Sequence, residues 1–158
     1  MGPSLCNGDF TSGMAVKKML NGEYPGLPKV MLPLVDVREV AFAHLQAIKV
    51  PEARNNRFAL VSESFWFKQM AESLKEEFGA SYSFTTKELG YCPAKLASFF
   101  SIELKPILPL WGVVVTLNNK KSKDILGIKY IHPSESLNAM GYSLIENGLL
   151  KDKRKTKK

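Results

Sequence analysis

The stretch VDVREVAFAHL, residues 35–45, decides the fold class that the sequence predicts. Its first residues belong to a short apolar run over 34–37, which predicts a buried strand. Apolar residues then recur at helical spacing over 38–48, which predicts an amphipathic helix with His44 packed on its apolar face. Asp36 stands just before this helix, where a carboxylate accepts the backbone N–H groups that the first turn leaves unpaired. We therefore expect a strand that leads directly into a capped helix.

Other periodic segments surround this unit. The apolar run RFALV, residues 57–61, shows no polar alternation, which predicts a strand buried on both faces, as in a parallel sheet. Ser62 or Ser64 is the candidate cap of the helix that follows over 65–78. Together the segments predict an α/β fold with few short strands and about five to six helices. The other predicted elements are helices over 11–20, 94–104 and 120–126 and from Ser134 to Gly148, strands over 82–84 and 113–117, and a loop over 23–33.

The positive charge of the chain is concentrated at one end. The chain has 158 residues, 45% of them hydrophobic and 23% charged, which is typical of one globular domain. Most of the net charge of +7 lies in residues 151–158, of which six are basic. Such a run predicts a disordered basic tail behind a folded part over residues 1–150. A role of the tail in binding nucleic acid or anionic membranes is the alternative.

The sequence contains none of the common catalytic or metal-binding motifs. There is no GxGxxG, GxxxxGK[ST] or GxSxG pattern. His44 and His132 have no carboxylate or cysteine at ligand spacing, so no metal site is expected. Cys6 and Cys92 form no CxxC motif, which is typical of a reducing compartment and predicts a cytoplasmic protein.

Several segments occur in an order and spacing that carry a family resemblance. The strongest is residues 35–47, and the others are Gly2-Pro3, 12–22, 52–60, 119–127 and 142–148. Together they resemble the C-terminal half of an extended short-chain dehydrogenase/reductase of the NAD-dependent epimerase/dehydratase superfamily. The likeness is to the branch of cinnamoyl-CoA and dihydroflavonol reductases, which is related to the 3-beta-hydroxysteroid dehydrogenases. Glu39 departs from the pattern, since aspartate is more usual at that position.

The resemblance implies an incomplete Rossmann-type fold. Residues 1–150 would be the C-terminal substrate-binding portion, and the N-terminal nucleotide-binding half would be absent. The complete enzyme would use NADP or NAD, and we expect none bound by this chain alone. Gly2 and Pro3 match a turn near the nicotinamide and are the candidate cofactor-binding residues, while Ser12 is the candidate substrate-binding residue. No catalytic residue is assigned, because the nucleotide fingerprint and the catalytic Ser, Tyr and Lys of the family have no matching positions.

One pair imitates the catalytic motif of the family. Tyr91 and Lys95 have its Tyr-x-x-x-Lys spacing, in which the tyrosine protonates the carbonyl oxygen and the lysine lowers the tyrosine pKa. Pro93 lies between them and is expected to break the helix that would bring the two side chains to one face. The pair also follows residues 35–47, whereas the family pair precedes that motif. We therefore predict that it is not catalytic.

The function expected from the resemblance is that of the substrate-binding half of an NAD(P)H-dependent reductase. Its substrate would be a small ketone or aldehyde, and the chain alone would be inactive. The alternative is a non-catalytic binding protein that uses the remnant fold and the basic tail to contact a partner, nucleic acid or anionic membrane. A third interpretation is an incomplete gene model. The strand predicted over 57–61 would expose an apolar edge, which predicts self-association.

Overall fold

The computed structural model describes residues 1–5, 8, 10–99 and 104–154. Within them the chain forms helices and a two-stranded sheet, so the predicted α/β class with a partial Rossmann-like fold is confirmed. Two 3-10 turns, Pro51–Ala53 and Leu108–Leu110, lie between the main elements. In chain order the main elements are α1 (Thr11–Asn21), β1 (Met31–Leu34), α2 (Val37–Lys49), β2 (Glu63–Trp66), α3 (Phe67–Phe78), α4 (Tyr91–Ala97), α5 (Lys120–Leu126) and α6 (Pro133–Glu146).

The two strands of the sheet lie outside the predicted bounds, since β1 begins before the strand predicted over 34–37 and β2 follows the strand predicted over 57–61. Strand β1 pairs with β2 in antiparallel register, with Met31 opposite Trp66 and Leu34 opposite Glu63. The strand predicted over 34–37 is therefore wrong in its bounds, because Asp36 already caps a helix that begins at Val37. The predicted loop over 23–33 is wrong at its end, because β1 begins at Met31. Proline is tolerated inside β1 because each strand of a two-stranded sheet is an edge.

Three predicted strands are not formed. Segment 57–61 has no β-partner among the described residues, and only Val61 of the segment is buried. Segment 113–117 also has no strand partner there, and Val114 is 64% exposed. Residues 82–84 form no strand either. Apolar, β-branched composition indicates a strand only where a neighbouring strand can accept its hydrogen bonds. In the described residues β1 and β2 pair only with each other, so these three segments have no strand beside them.

The main core lies where α1, α3 and α6 pack together against the sheet. The predicted apolar stripe of α3 is confirmed, since Phe67, Met70, Ala71, Leu74 and Phe78 are all buried. At Gly141 of α6 a side chain has no room, because a Cβ there would lie 2.8 Å from the Phe78 ring. A second, smaller cluster joins α2 to α5 through Ala43, Ala53, Leu126 and Ile128.

Helix ends follow local chemistry, with some corrections. Helices α1 and α5 end as predicted, at Gly22 and Gly127, whose φ angles of 70° and 66° are left-handed. Neither serine predicted as the cap of α3 has that role. Ser62 donates to Ile131 O at 2.6 Å, Ser64 lies in β2, and the N–H of Trp66 is bound by the side chain of Gln69 at 2.8 Å.

The two remaining predicted helices are shifted. Helix α6 begins one residue before the predicted start at Ser134, with His132 as its cap. Helix α4 begins three residues before the predicted position 94 and ends at Ala97. Residues 100–103 of that prediction lie outside the described residues.

Candidate functional site

The N-terminal segment lies against the first turn of α2. Gly2 is buried with φ of +103°, and a Cβ there would lie 2.7 Å from Asp36 Oδ1. The Val37 N–H donates to Met1 O at 2.8 Å, so the segment is attached by its backbone. Ser4 N also donates to Ser143 Oγ at 2.9 Å. Gly2 is therefore required for close approach of the backbone to a buried carboxylate.

Asp36 is the electrostatic centre of this region. Its side chain is 0% exposed. Oδ1 accepts from Arg38 N and Nε, both at 2.9 Å, and Oδ2 accepts from Nη2 at 2.8 Å. Burial raises the pKa of Asp36, but the hydrogen bonds from Arg38 outweigh it and hold the pKa at about 2. The predicted capping role of Asp36 is confirmed, and the carboxylate stays ionised at neutral pH.

Glu39 extends the network from α2 to the start of α6. Its Oε2 accepts from Asp36 N at 3.0 Å, which completes a capping box, and its Oε1 accepts from Ile131 N. Ser136 of α6 is buried with its hydroxyl near Asp36, outside hydrogen-bond geometry. The aspartate that is usual at position 39 would be one methylene too short to make both bonds. Sequence reasoning treated Glu39 as a mild departure and missed this bridging role.

Among the three predicted site residues, Gly2 and Pro3 are neighbours in the N-terminal segment, and Ser12 lies on α1. Gly2 is buried behind Asp36, and Pro3 beside it is half-buried. Ser12 is half-buried in the first turn of α1, and its neighbour Gly13 lines a narrow crevice together with Phe10, Met14 and four other residues. The enclosed space of this crevice is close to zero, whereas ligand pockets usually measure roughly 300 Å³ or more, so it is too small for a cofactor.

The described residues do not fit a dinucleotide by themselves. A pyrophosphate needs a glycine-rich turn between a strand and a helix. In the described part of the chain, the short Gly2 segment offers no such turn, because its one buried glycine faces a carboxylate that would repel phosphate. Pro3 and Ser12 can contact a ligand only at the margin of a site completed by other residues.

The Tyr91–Lys95 pair requires a correction. Helix α4 begins at Tyr91, so Pro93 does not break it. The proline lies in the first turn, where its missing N–H has no helical acceptor. Tyr91 makes an edge-to-face contact with Trp111, with ring centroids 5.9 Å apart. The prediction that this pair is not catalytic therefore depends only on its position after residues 35–47, and the argument from the proline is withdrawn.

Two further expectations concern single residues. His44 was expected to pack in the core or at its boundary, but it is exposed, and its Nδ1 lies 2.7 Å from Val40 O. Helical periodicity located it on an apolar face but not on the face that is covered. Cys92 is an exposed free thiol, and Cys6 lies outside the described residues.

The described start of the C-terminal tail contacts the body. Tyr82 Oη donates to Lys151 O at 2.8 Å and accepts from Lys153 N at 3.2 Å. The Arg154 guanidinium lies 5.6 Å from the centre of the Tyr142 ring. Residues 155–158 lie outside the description, so disorder of the whole tail stays a prediction.

The described ranges contain neither a group of side chains suited to a metal ion nor a helix suited to span a membrane. No group of three or more His, Cys, Asp or Glu side chains there is arranged to hold a metal ion. No helix in those ranges has both the length and the apolar character needed to cross a membrane.

Comparison with solved structures identifies the class of fold. The chain superimposes on Gre2 from Candida albicans with a TM-score of 0.69 and 21% identity, over 93% of this chain and 42% of that one. For a yeast methylglyoxal/isovaleraldehyde reductase Gre2 complexed with NADPH, the TM-score is 0.65 and the identity 21%, over 93% of this chain and 44% of that one. For a nucleoside-diphosphate-sugar epimerase from Pseudomonas aeruginosa, the TM-score is 0.70 and the identity 17%, over 89% of this chain and 44% of that one. The chain has the fold of part of these reductases and of this epimerase, in agreement with the resemblance inferred from its sequence.

The sequence comparison points to a reductase as well. A ketoreductase, azaE of Aspergillus niger, is 37% identical over 68 residues, which are 41% of this chain and 20% of the ketoreductase. No family model matches the chain. The chain therefore spans a fifth of this curated relative and less than half of the solved structures that it matches.

Proposed function

We propose that this chain is the substrate-binding portion of an NAD(P)H-dependent reductase that converts a small ketone or aldehyde to an alcohol. The observation that carries the proposal is the agreement of two independent likenesses. A ketoreductase shares 37% of 68 aligned residues, and the fold of a carbonyl reductase superimposes over 93% of the chain.

The cofactor of the proposed enzyme is NADP(H) or NAD(H), of which the NADPH complex of yeast Gre2 favours the former. When bound, it would supply the hydride for the carbonyl carbon. Pro3 and the backbone of Gly2 are proposed to lie at the nicotinamide end of its site, and Ser12 beside the substrate. The described residues lack a phosphate-binding turn, so the rest of the cofactor site has to come from outside them.

The contribution of this portion is to position the substrate and exclude water. Helices α1, α3 and α6 form a well-packed core, and a rigid body of this kind can hold a substrate wall in place. The bonds from Val37 N to Met1 O and from Ser4 N to Ser143 Oγ on α6 attach the segment at Gly2 and Pro3 to α2 and to that body. Without the catalytic tyrosine and lysine of the family, the chain alone is proposed to have no turnover.

Two preparations test the proposal. The first is the 158-residue chain alone. The second is a hybrid in which this chain replaces the matched 42% of Candida albicans Gre2, referred to below as the hybrid. Each is mixed with NADPH and either methylglyoxal or isovaleraldehyde, and cofactor oxidation is followed by absorbance. We expect no oxidation above background with the chain alone and substrate-dependent oxidation with the hybrid.

The opposite results would contradict the proposal in different ways. Robust turnover by the chain alone would show that the chemistry lies within it. A folded hybrid that binds NADPH but reduces neither these nor other carbonyl compounds would remove the reductase assignment. As a control, Gre2 lacking the matched region should be inactive, which attributes any recovered activity to this chain.

Self-association stays a prediction. Segment 57–61 has no β-partner in the part of the chain that the structure describes, and apart from Val61 O, which accepts from Asn119 Nδ2 at 2.7 Å, its backbone is proposed to be available to an incoming strand. Dilution series by light scattering would measure the tendency, and a monomer at all concentrations would count against it.

A further inference from the structure

The C-terminal end of α6 binds the backbone of Ser4 on both sides. Ser4 N donates to Ser143 Oγ at 2.9 Å, and Asn147 Nδ2 donates to Ser4 O at 2.9 Å. Ser143 and Asn147 are four residues apart, so their side chains lie on one face at the end of the helix. Ser4 directly follows Gly2 and Pro3 in the chain. The two bonds therefore fix the candidate cofactor-binding residues relative to α6.

The same end of α6 continues into the C-terminal strap, defined as residues 150–154. Gly148 turns the chain with a left-handed φ of 70°, and Leu150 N then donates to Leu144 O at 3.0 Å. The Leu150 side chain is buried in the main core. The strap is therefore joined to the last turn of α6 by a backbone hydrogen bond and by a buried side chain.

Tyr82, which follows α3, holds the strap against the body. Its side chain is buried, and its Oη donates to Lys151 O at 2.8 Å and accepts from Lys153 N at 3.2 Å. Lys153 Nζ also lies 5.4 Å from the centre of the Tyr82 ring. A buried hydroxyl that loses its partners is unfavourable, so the hydroxyl of Tyr82 favours the bound position of the strap.

A row of three aromatic rings extends this contact to α6. The Phe78 ring lies 6.2 Å from the Tyr82 ring and 4.9 Å from the Tyr142 ring. Tyr142 belongs to α6 and directly precedes Ser143, and the Arg154 guanidinium of the strap lies 5.6 Å from the centre of its ring. The strap, α3 and the part of α6 that binds the N-terminal segment are thus packed as one unit.

We propose that the C-terminal strap positions the candidate cofactor-binding segment through the end of α6. Tyr82 holds the strap, and Ser143 and Asn147 are the positioning residues that transmit its effect to Ser4. When the strap opens, the last turn of α6 frays and Ser4 is released. This inference rests on the proposed function, in which that segment lies at the nicotinamide end of the cofactor site, and it adds the device that holds the segment in place.

Hydrogen exchange at Ser4 N in the chain alone tests the proposal without an assay of activity. Tyr82→Phe removes the hydroxyl that binds the strap, and Asn147→Ala removes the donor to Ser4 O. A chain that ends at Leu150 keeps the buried anchor but removes the contacts with Tyr82. Each change should speed exchange at Ser4 N by at least about threefold, because a bound amide exchanges through local opening.

Two substitutions are matched controls. Tyr91→Phe removes a tyrosine hydroxyl on α4, and Asn21→Ala removes the asparagine at the end of α1, whose side chain donates to Glu23. Both residues lie on other helices, so neither change should alter exchange at Ser4 N. Circular dichroism verifies that each variant is folded before exchange is measured.

The hybrid supplies the readout that a purely structural role would not give. Tyr82→Phe and Asn147→Ala should raise the KM for NADPH by about threefold and leave the KM for isovaleraldehyde unchanged, because the segment is proposed to lie beside the cofactor. Asn21→Ala should change neither KM. An equal rise in both KM values would indicate a general loss of structure and would overturn the positioning role.

The other outcomes are equally distinct. Unchanged exchange at Ser4 N in Tyr82→Phe and in the shortened chain would overturn the proposal, since the bonds to Ser4 would then not depend on the strap. Faster exchange with an unchanged KM for NADPH would overturn the link to the cofactor. Faster exchange in all three variants, with a hybrid that oxidises no NADPH, supports the strap and contradicts the proposed reductase function.

Discussion

Replacing Asp36 tests whether the buried cap holds the start of α2. Asp36→Ala removes the acceptor of the Arg38 N–H bond, and loss of an N-cap costs about 1 kcal/mol. It also removes the bonds to the Arg38 side chain. The drop in pKa from 3.8 to about 2 corresponds to about 2.5 kcal/mol. We reduce this to about 1 kcal/mol, because the Arg38 side chain is 47% exposed and because the drop includes the Arg38 backbone bond already counted as the cap. Asp36→Ala should therefore destabilise the fold by about 2 kcal/mol.

Asp36→Asn separates the two contributions. Asparagine caps helices as well as aspartate does, so the cap is kept, while the charge and one acceptor oxygen for the Arg38 side chain are lost. The expected cost is about 1 kcal/mol. Urea unfolding followed by circular dichroism measures both variants, with an unchanged m value as the check that only stability differs. If Asp36→Asn costs as much as Asp36→Ala, or if neither has an effect, the assignment of this carboxylate as a cap is refuted.

The same carboxylate gives a pH dependence of known sign. Its pKa is about 2 in the folded chain, below the ordinary value of 3.8, so the folded state favours the ionised form. The associated stability is fully present above about pH 4 and is lost as the pH falls towards 2. Wild type should lose this increment in acid, and Asp36→Asn should not. Parallel unfolding curves for the two proteins between pH 2 and 5 would contradict it.

Three further substitutions examine other contacts. Glu39→Asp is too short to bind both Asp36 N and Ile131 N, so it should cost about 1–3 kcal/mol in urea unfolding, whereas Glu39→Gln, which keeps the length, should cost less. Gly2→Ala should be strained, because its φ of +103° disfavours a side chain and its Cβ would clash with the Asp36 carboxylate. The backbone strain alone costs about 1–2 kcal/mol. The N-terminal segment should then detach from α2, which would be measured as faster hydrogen exchange at Val37 N. Leu74→Ala, at a side chain that is 0% exposed, should cost about 2–5 kcal/mol, and a cost below 1 would refute the placement of the main core.

Features with local causes were predicted well. The cap at Asp36 and the helix ends at Gly22 and Gly127 depend on hydrogen bonds and φ angles within a few residues, so the sequence contains the whole signal. The stripe of α3 was predicted for a similar reason, since its side chains repeat at helical spacing and all face the same core.

Features that depend on distant partners were not predictable from the sequence. Segment 57–61 has the composition of a strand, but strand formation needs a neighbour that the described residues do not provide. His44 was placed on an apolar face, and periodicity cannot distinguish a covered face from an open one. Among the site residues, Gly2 was selected by resemblance, but its contact with Asp36 joins segments 34 residues apart.

The division of the interior into two clusters has a consequence for how the molecule opens. The large cluster unites α1, α3, α6 and the sheet, while in the described residues the cluster that joins α2 to α5 has only four buried side chains. The α2–α5 layer should therefore unfold locally while the rest of the protein stays folded. On heating, proteolytic cleavage should occur in the polar connections that flank this layer at temperatures well below the global Tm.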